Sequence, residues 1–113
     1  MARISREYTN PLSDVDRVKI RQVRDGHYIL EFSVQYEALI KSRWRKITRF
    51  DNAHGSYPHR HVYYPHNQEY KHTMNTPNSN DAFTEAQLFI KHNFMRMKES
   101  YIILTRNVGG GES

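Results

Sequence analysis

The chain has 113 residues, room for one domain with one modest core. Hydrophobic residues make up 37% of it and aromatics 12%, mostly Tyr (8) and Phe (5), so the core must rest on a few large side chains. Seventeen Lys and Arg against twelve Asp and Glu give a formal charge of +5, which favours an anionic partner such as RNA. The absence of cysteine excludes disulfides, thiolate catalysis and Cys-ligated zinc.

The N-terminal stretch MARISREYTN has no apolar centre and does not read as a secretory signal. No stretch approaches the ~20 apolar residues of a membrane span, so a soluble, cytoplasmic protein without membrane contact is expected. Arg17 to Arg24 predicts a strand joined to the next through a turn at Asp25-Gly26. A two-residue loop there would set Ile20 opposite Glu31, so a bulge is expected; a short helix from Ser13 is the rival reading.

Tyr28 to Ile40 carries the clearest pattern. Tyr28, Leu30, Phe32, Val34, Tyr36, Ala38 and Ile40 alternate with Glu31, Ser33, Gln35 and Glu37, which predicts a strand with one buried and one wet face. After a turn at Lys41-Ser42, a strand from Arg43 to Asp51 puts Trp44, Thr48 and Phe50 on one face. Arg43, Arg45 and Arg49 take the other, with Ile47. Lys41, Arg43, Arg45, Lys46 and Arg49, with no acid among them, then form a basic stripe for solvent or a polyanion.

Pro58 to Tyr64 predicts a further short strand, and NTPNSND (75–81) a loop. Thr84 with Gln87 forms a capping box, and Phe83 with Leu88 a hydrophobic staple. Ala86, Ile90, Phe94, Met97, Tyr101 and Leu104 then recur at steps of three and four, an amphipathic helix of about five turns. The expected fold is α+β: an antiparallel sheet of three to four meandering strands, covered on one face by a C-terminal amphipathic helix. One domain is expected over 1–106, followed by a disordered tail over 107–113.

Five of the seven histidines, His54, His59, His61, His66 and His72, fall in the run FDNAHGSYPHRHVYYPHNQEYKH. In an extended segment His59 and His61 project from one face together with Tyr63, and Arg60 points the other way. Two imidazoles on one face can bind a metal, or can act as general acid and base in phosphodiester cleavage. RNA cleavage needs no metal, because the ribose 2′-hydroxyl is the nucleophile. It needs a base, an acid and a cation, roles that His54, His59, His61, Arg60, Lys71 and Tyr70 supply, with Asp51 as an accompanying carboxylate. Asp51 is equally a natural cap or turn residue. A metal site is the weaker alternative, because no recognisable spacing supplies the remaining ligands; no cofactor is expected.

The order Phe50-Asp51-Asn52-Ala53, Gly55, His59-Arg60-His61 and Glu69-Tyr70-Lys71, preceded by Arg45 or Lys46 and followed by the amphipathic helix, resembles the TumE family of bacterial and archaeal toxins. The likeness covers roughly Trp44 to Tyr101. It implies the toxic member of a two-gene toxin–antitoxin pair, partnered by a helix-turn-helix antitoxin, with Asp51, Asn52, Gly55, His59, Arg60 and His61 as signature positions.

Two functions follow as expectations. The first is a toxin-like, metal-independent endoribonuclease using His59 and His61, with Arg60, Lys71 or Arg49 on the developing phosphate charge. The second is a non-enzymatic binder of nucleic acid or protein, with Lys41, Arg43, Arg45, Lys46, Arg49 and Lys71 on the polyanion. Open strand edges would allow a homodimer.

Overall fold

Alternation over long stretches, punctuated by short connections, makes a meander. The structure, a computed structural model, describes residues 3–53 and 57–110. These form β1 (Arg3–Ser13), β2 (Asp16–Asp25), β3 (Tyr28–Ile40), β4 (Arg43–Asp51), β5 (His59–Tyr64), β6 (Gln68–Thr73) and α1 (Ser79–Gly110). The strands lie in one antiparallel sheet in chain order. The sheet therefore has six strands where three to four are expected from the sequence. β1 and β6 escape the sequence reading because their side chains are almost all exposed and carry no apolar alternation. No helix forms near Ser13. The strand β2 runs from Asp16, and Ser13 Oγ instead caps the β1–β2 turn by donating to Asp16 Oδ2 at 2.6 Å.

Three local features set the register. The β2–β3 turn is Gly26-His27, one residue later than expected, with Asp25 paired to Tyr28 and Gly26 at φ +61°, a conformation that favours glycine. The expected bulge is present between Val23 and Arg24, and together with the later turn it sets Ile20 opposite Val34 rather than Glu31. It also turns Ile29 inward in place of Tyr28, which is 74% exposed. The Lys41-Ser42 turn forms as expected, with both residues at positive φ.

A second bulge alters the expected hairpin. Tyr36 pairs with Thr48 but Glu37 pairs with Lys46, so Ile47 is an inserted residue. One extra residue moves all side chains before it to the opposite face. Trp44 and Lys46 therefore share a face with Arg49 and Asp51, whereas Arg43 and Arg45 fall on the other, opposite Ile40 and Ala38. The single basic stripe expected on this hairpin is split between the two faces.

The helix α1 lies on one face of the sheet. Ala82, Phe83, Ala86 and Ile90 are buried there against Val18, Ile20, Phe32, Val34, Tyr36, Ala38, Ile47 and Phe50. Edge-to-face ring pairs join Phe32 to Phe83, Tyr36 to Phe94 and Phe50 to Phe89. The expected apolar stripe faces the sheet, buried at Ala86 and Ile90 and partly buried at Phe94, Met97 and Tyr101, although Leu104 is 36% exposed. The helix starts five residues before the expected cap. Asn78 Oδ1 accepts from Asp81 N at 3.1 Å, so Asn78 is the N-cap. Thr84 and Gln87 instead hydrogen-bond back to the carbonyls of Asn80 and Phe83. The helix continues to Gly110, and residues 111–113 of the expected tail lie outside the described residues. No helix among the described residues is long and apolar enough to cross a membrane.

A polar tie fastens the helix to the sheet. Asp16, 2% exposed, accepts from Tyr36 Oη at 2.6 Å and from Lys98 Nζ at 3.0 Å. Burial alone would push the Asp16 carboxyl up, but the hydrogen bonds from Ser13, Tyr36 and Lys98 outweigh it and hold it below its ordinary value. Burial and the Asp16 charge push the Tyr36 phenol far up.

Candidate active site on the open face

The face away from α1 carries most of the polar and titratable side chains of the sheet. Cross-strand register sets Lys19, Gln35, Arg49, His61 and Lys71 in one row, and Arg21, Ser33, Asp51, His59 and Thr73 in the next. A third row has Arg17, Glu37 and Lys46. Period-two alternation thus places His59, His61 and Tyr63 beside Asp51 and Arg49, as the extended reading of Pro58 to Tyr64 expects.

His61 is the most enclosed of these side chains. It is 6% exposed, with Nε2 at 3.0 Å from Asp51 Oδ2 and Nδ1 at 2.7 Å from Glu69 Oε2. Both contacts are hydrogen bonds together only when both ring nitrogens carry protons, which makes the ring a cation between two carboxylates. A donating Nε2 cannot also accept from Arg49 Nη2, so that 3.4 Å approach is a close contact rather than a hydrogen bond in this state. Arg49 instead donates from Nε to Asp51 Oδ2 at 2.8 Å. The hydrogen bond from His61 pulls the Glu69 carboxyl below its usual range. The Tyr63 ring stacks on His61 with a centroid distance of 6.2 Å, and Lys46 Nζ sits 4.6 Å from the Tyr63 ring centre. Burial pushes the Tyr63 phenol up.

His59 differs in both access and charge. It is half-buried, its ring centre 6.0 Å from that of His61. Burial first, and then the Lys71 ammonium, hold its imidazole below the ordinary histidine value, against an opposing pull from Asp51. Its half-exposed ring lies on the open face, where a ligand can reach it.

The other expected site residues separate. Arg60 turns to the helix side, donating from Nε to Thr48 Oγ1 at 3.1 Å, with its guanidinium 4.6 Å from the Phe89 ring centre. It cannot reach a phosphate at His59. Lys41 and Arg43 sit at the hairpin tip, away from the histidines, and Tyr70 lies on the helix side opposite Val62. His54 and Gly55 lie outside the described residues. Asn52 is structural. It is 1% exposed, accepts from Phe32 N at 2.7 Å and donates to Leu30 O and Ser79 Oγ, joining β3 to the start of α1. Asn52→Ala leaves two buried backbone groups without partners, so chemical denaturation should show a loss of about 2–4 kcal/mol. A loss under half of that would mean that water replaces the amide.

Two groups of open-face residues were not singled out from the sequence. Glu69 supplies the second carboxylate on His61. Arg17, Lys19 and Arg21 add three cations from β2, and their i, i+2 spacing within a predicted strand was the available signal. Arg17 is paired with Glu37 at 2.7 Å and lies over the Trp44 ring at 3.8 Å. Among the described residues no group of three or more His, Cys, Asp or Glu side chains is arranged to hold a metal ion.

The class defined by this arrangement is a six-stranded antiparallel meander backed by one helix, with a histidine–carboxylate–cation cluster on its bare face. The chain belongs to the family described as a domain of unknown function (DUF7718), whose model matches residues 3–105. No curated protein and no solved structure matches it.

Proposed function

We propose that the protein acts on RNA at the open face of its sheet, as a metal-independent endoribonuclease with His59 as the general base. The observation that carries this reading is the half-exposed His59 ring on the open face, paired across the sheet with Asp51 and 6.0 Å from the enclosed His61 ring. His59 takes the proton of a ribose 2′-hydroxyl, and the 2′-oxygen bonds to phosphorus as the P–O5′ bond breaks. The Lys71 ammonium gives its proton to the leaving O5′. The products are a 2′,3′-cyclic phosphate and a 5′-hydroxyl, and water returns both side chains to their starting states. His61 is a positioning residue in this scheme: its shared charge offsets Asp51 and Glu69, which would otherwise repel the phosphate.

As part of the same proposal the protein is a toxin, neutralised by a helix-turn-helix antitoxin. Its support is the Asp51-Asn52-Ala53, His59-Arg60-His61 and Glu69-Tyr70-Lys71 string. A second reading, binding without cleavage, is favoured by the cations Arg17, Lys19, Lys46 and Lys71 interleaved with Trp44 and Tyr63 on the same face.

The test is incubation of purified protein with single-stranded and hairpin RNA in EDTA, with fragment ends identified by mass. Cyclic-phosphate ends and growth arrest on induced expression are expected. RNA binding without cleavage would move the conclusion to the second reading, and neither binding nor arrest would end both. Under either reading affinity falls steeply as salt rises, and Lys19→Ala/Lys71→Ala should flatten that slope.

A further inference from the structure

On the face opposite the histidines, Arg60 presents a different kind of site. Its guanidinium is half-buried between the sheet and α1, with the Phe50 and Phe89 rings over it at 5.5 and 4.6 Å. Its Nε donates to Thr48 and its Nη2 to the thioether of Met97 at 3.4 Å, a weak acceptor. No carboxylate among the described residues lies within ion-pair distance of it. Glu85 shares a second recess with Arg60, and its carboxylate accepts from Thr76 rather than forming an ion pair with the guanidinium. A guanidinium stays charged when buried, so one enclosed without an anion is costly unless something supplies the negative charge.

Beside this guanidinium opens a cavity of about 220 Å³. Ile47 and Val62 of the sheet and Met97, Tyr101 and Leu104 of α1 give it mainly apolar walls, and Arg96 adds a second guanidinium from the helix. No acidic residue lines it. The volume exceeds the ~150 Å³ that accommodates a benzene ring. Apolar walls with two guanidinium-bearing residues in the lining suit a ligand that is apolar along its body and anionic at one end.

We propose that this cavity binds a small amphipathic carboxylate, such as a medium-chain fatty acid, with its carboxylate on Arg60 and its chain between β5 and the C-terminal half of α1. The site shares only Tyr63 with the open-face cluster and does not depend on any activity there.

The test is a titration of methyl-labelled full-length protein with octanoate, followed by NMR. The methyl signals of Ile47, Val62, Met97 and Leu104 should shift saturably, and those on β1 should not. Octanol, which keeps the chain without the charge, and butyrate, which keeps the charge with little chain, should each bind at least about tenfold more weakly. Arg60→Gln should weaken octanoate to a similar extent. Because Arg60 also packs under Phe50 and Phe89, Ser100→Trp provides a second variant: Ser100 is exposed on α1 at the cavity wall, and a bulky ring there should block octanoate with the fold intact. Three outcomes would overturn the proposal: no saturable shift up to the solubility limit of octanoate, octanol binding as tightly as octanoate, or shifts centred elsewhere.

Discussion

His59→Ala should lower RNA cleavage by about 10²- to 10⁴-fold, the range in which a positioned general base contributes, while the thermal midpoint of the protein changes little. The expectation rests on a contrast between neighbours two residues apart. His61 has both ring nitrogens held by carboxylates and is 6% exposed, so it has no free nitrogen for a substrate proton. His59 is half-buried on the same face, and burial and Lys71 hold its imidazole below the usual histidine range. A base works in its deprotonated form, so the rate should be lost as pH falls through a value below 6.5. Lys71→Ala removes one cause of the depression, and the acid limb should then move up toward 6.5 even though the rate also falls. A His59→Ala protein with full cleavage would remove His59 from the mechanism. An acid limb that stays in place in Lys71→Ala would show that the two groups are not coupled.

The second large effect concerns stability. Asp16→Ala should cost about 3–5 kcal/mol in urea denaturation, because it leaves the Lys98 ammonium and the Tyr36 hydroxyl without their shared acceptor between helix and sheet. Lys98→Met should cost less, since Ser13 and Tyr36 still satisfy the carboxylate. The pH dependence has a definite sign. The folded-state value of Asp16 lies below that of the unfolded chain, so its contribution is present above about 3.8 and is lost as pH falls through the depressed folded value. At the alkaline end the raised Tyr36 value acts in the opposite sense: the unfolded chain ionises near 10.0 while the folded one keeps its proton, so stability falls above that pH. In Asp16→Ala the acid-side loss should shrink. A variant with the wild-type midpoint would mean that water takes over the role of the carboxylate.

The central strands were legible because they are half-buried. Val34, Tyr36 and Ala38 alternate with polar residues in a way only a sheet with one covered face requires, and Ala86, Ile90, Phe94 and Met97 repeat as only a covering helix requires. β1 and β6 bury little, so no apolar period marks them; their strand state comes from pairing with β2 and β5. The start of α1 was misplaced for a related reason. Thr84 and Gln87 have the composition of a cap, but Asn52 and Asn80 bond the chain near Ser79 to β3 and the β2–β3 turn, so the helix begins where the sheet holds it.

By itself the sequence determined that β5 projects His59 and His61 to one side and Arg60 to the other, since alternation along a strand is a local property of the backbone. It also determined the positive charge of the surface and the apolar seam of the helix. Only the tertiary structure decided which histidine is clamped and which is free, because Asp51 and Glu69 reach His61 across strand pairs whose register no local pattern encodes. Tertiary structure likewise decided the division of the basic hairpin, through the one-residue bulge at Ile47, and the enclosure of Arg60 under α1. Each of these depends on contacts between segments far apart in the chain, and one inserted residue in a strand is enough to exchange its faces.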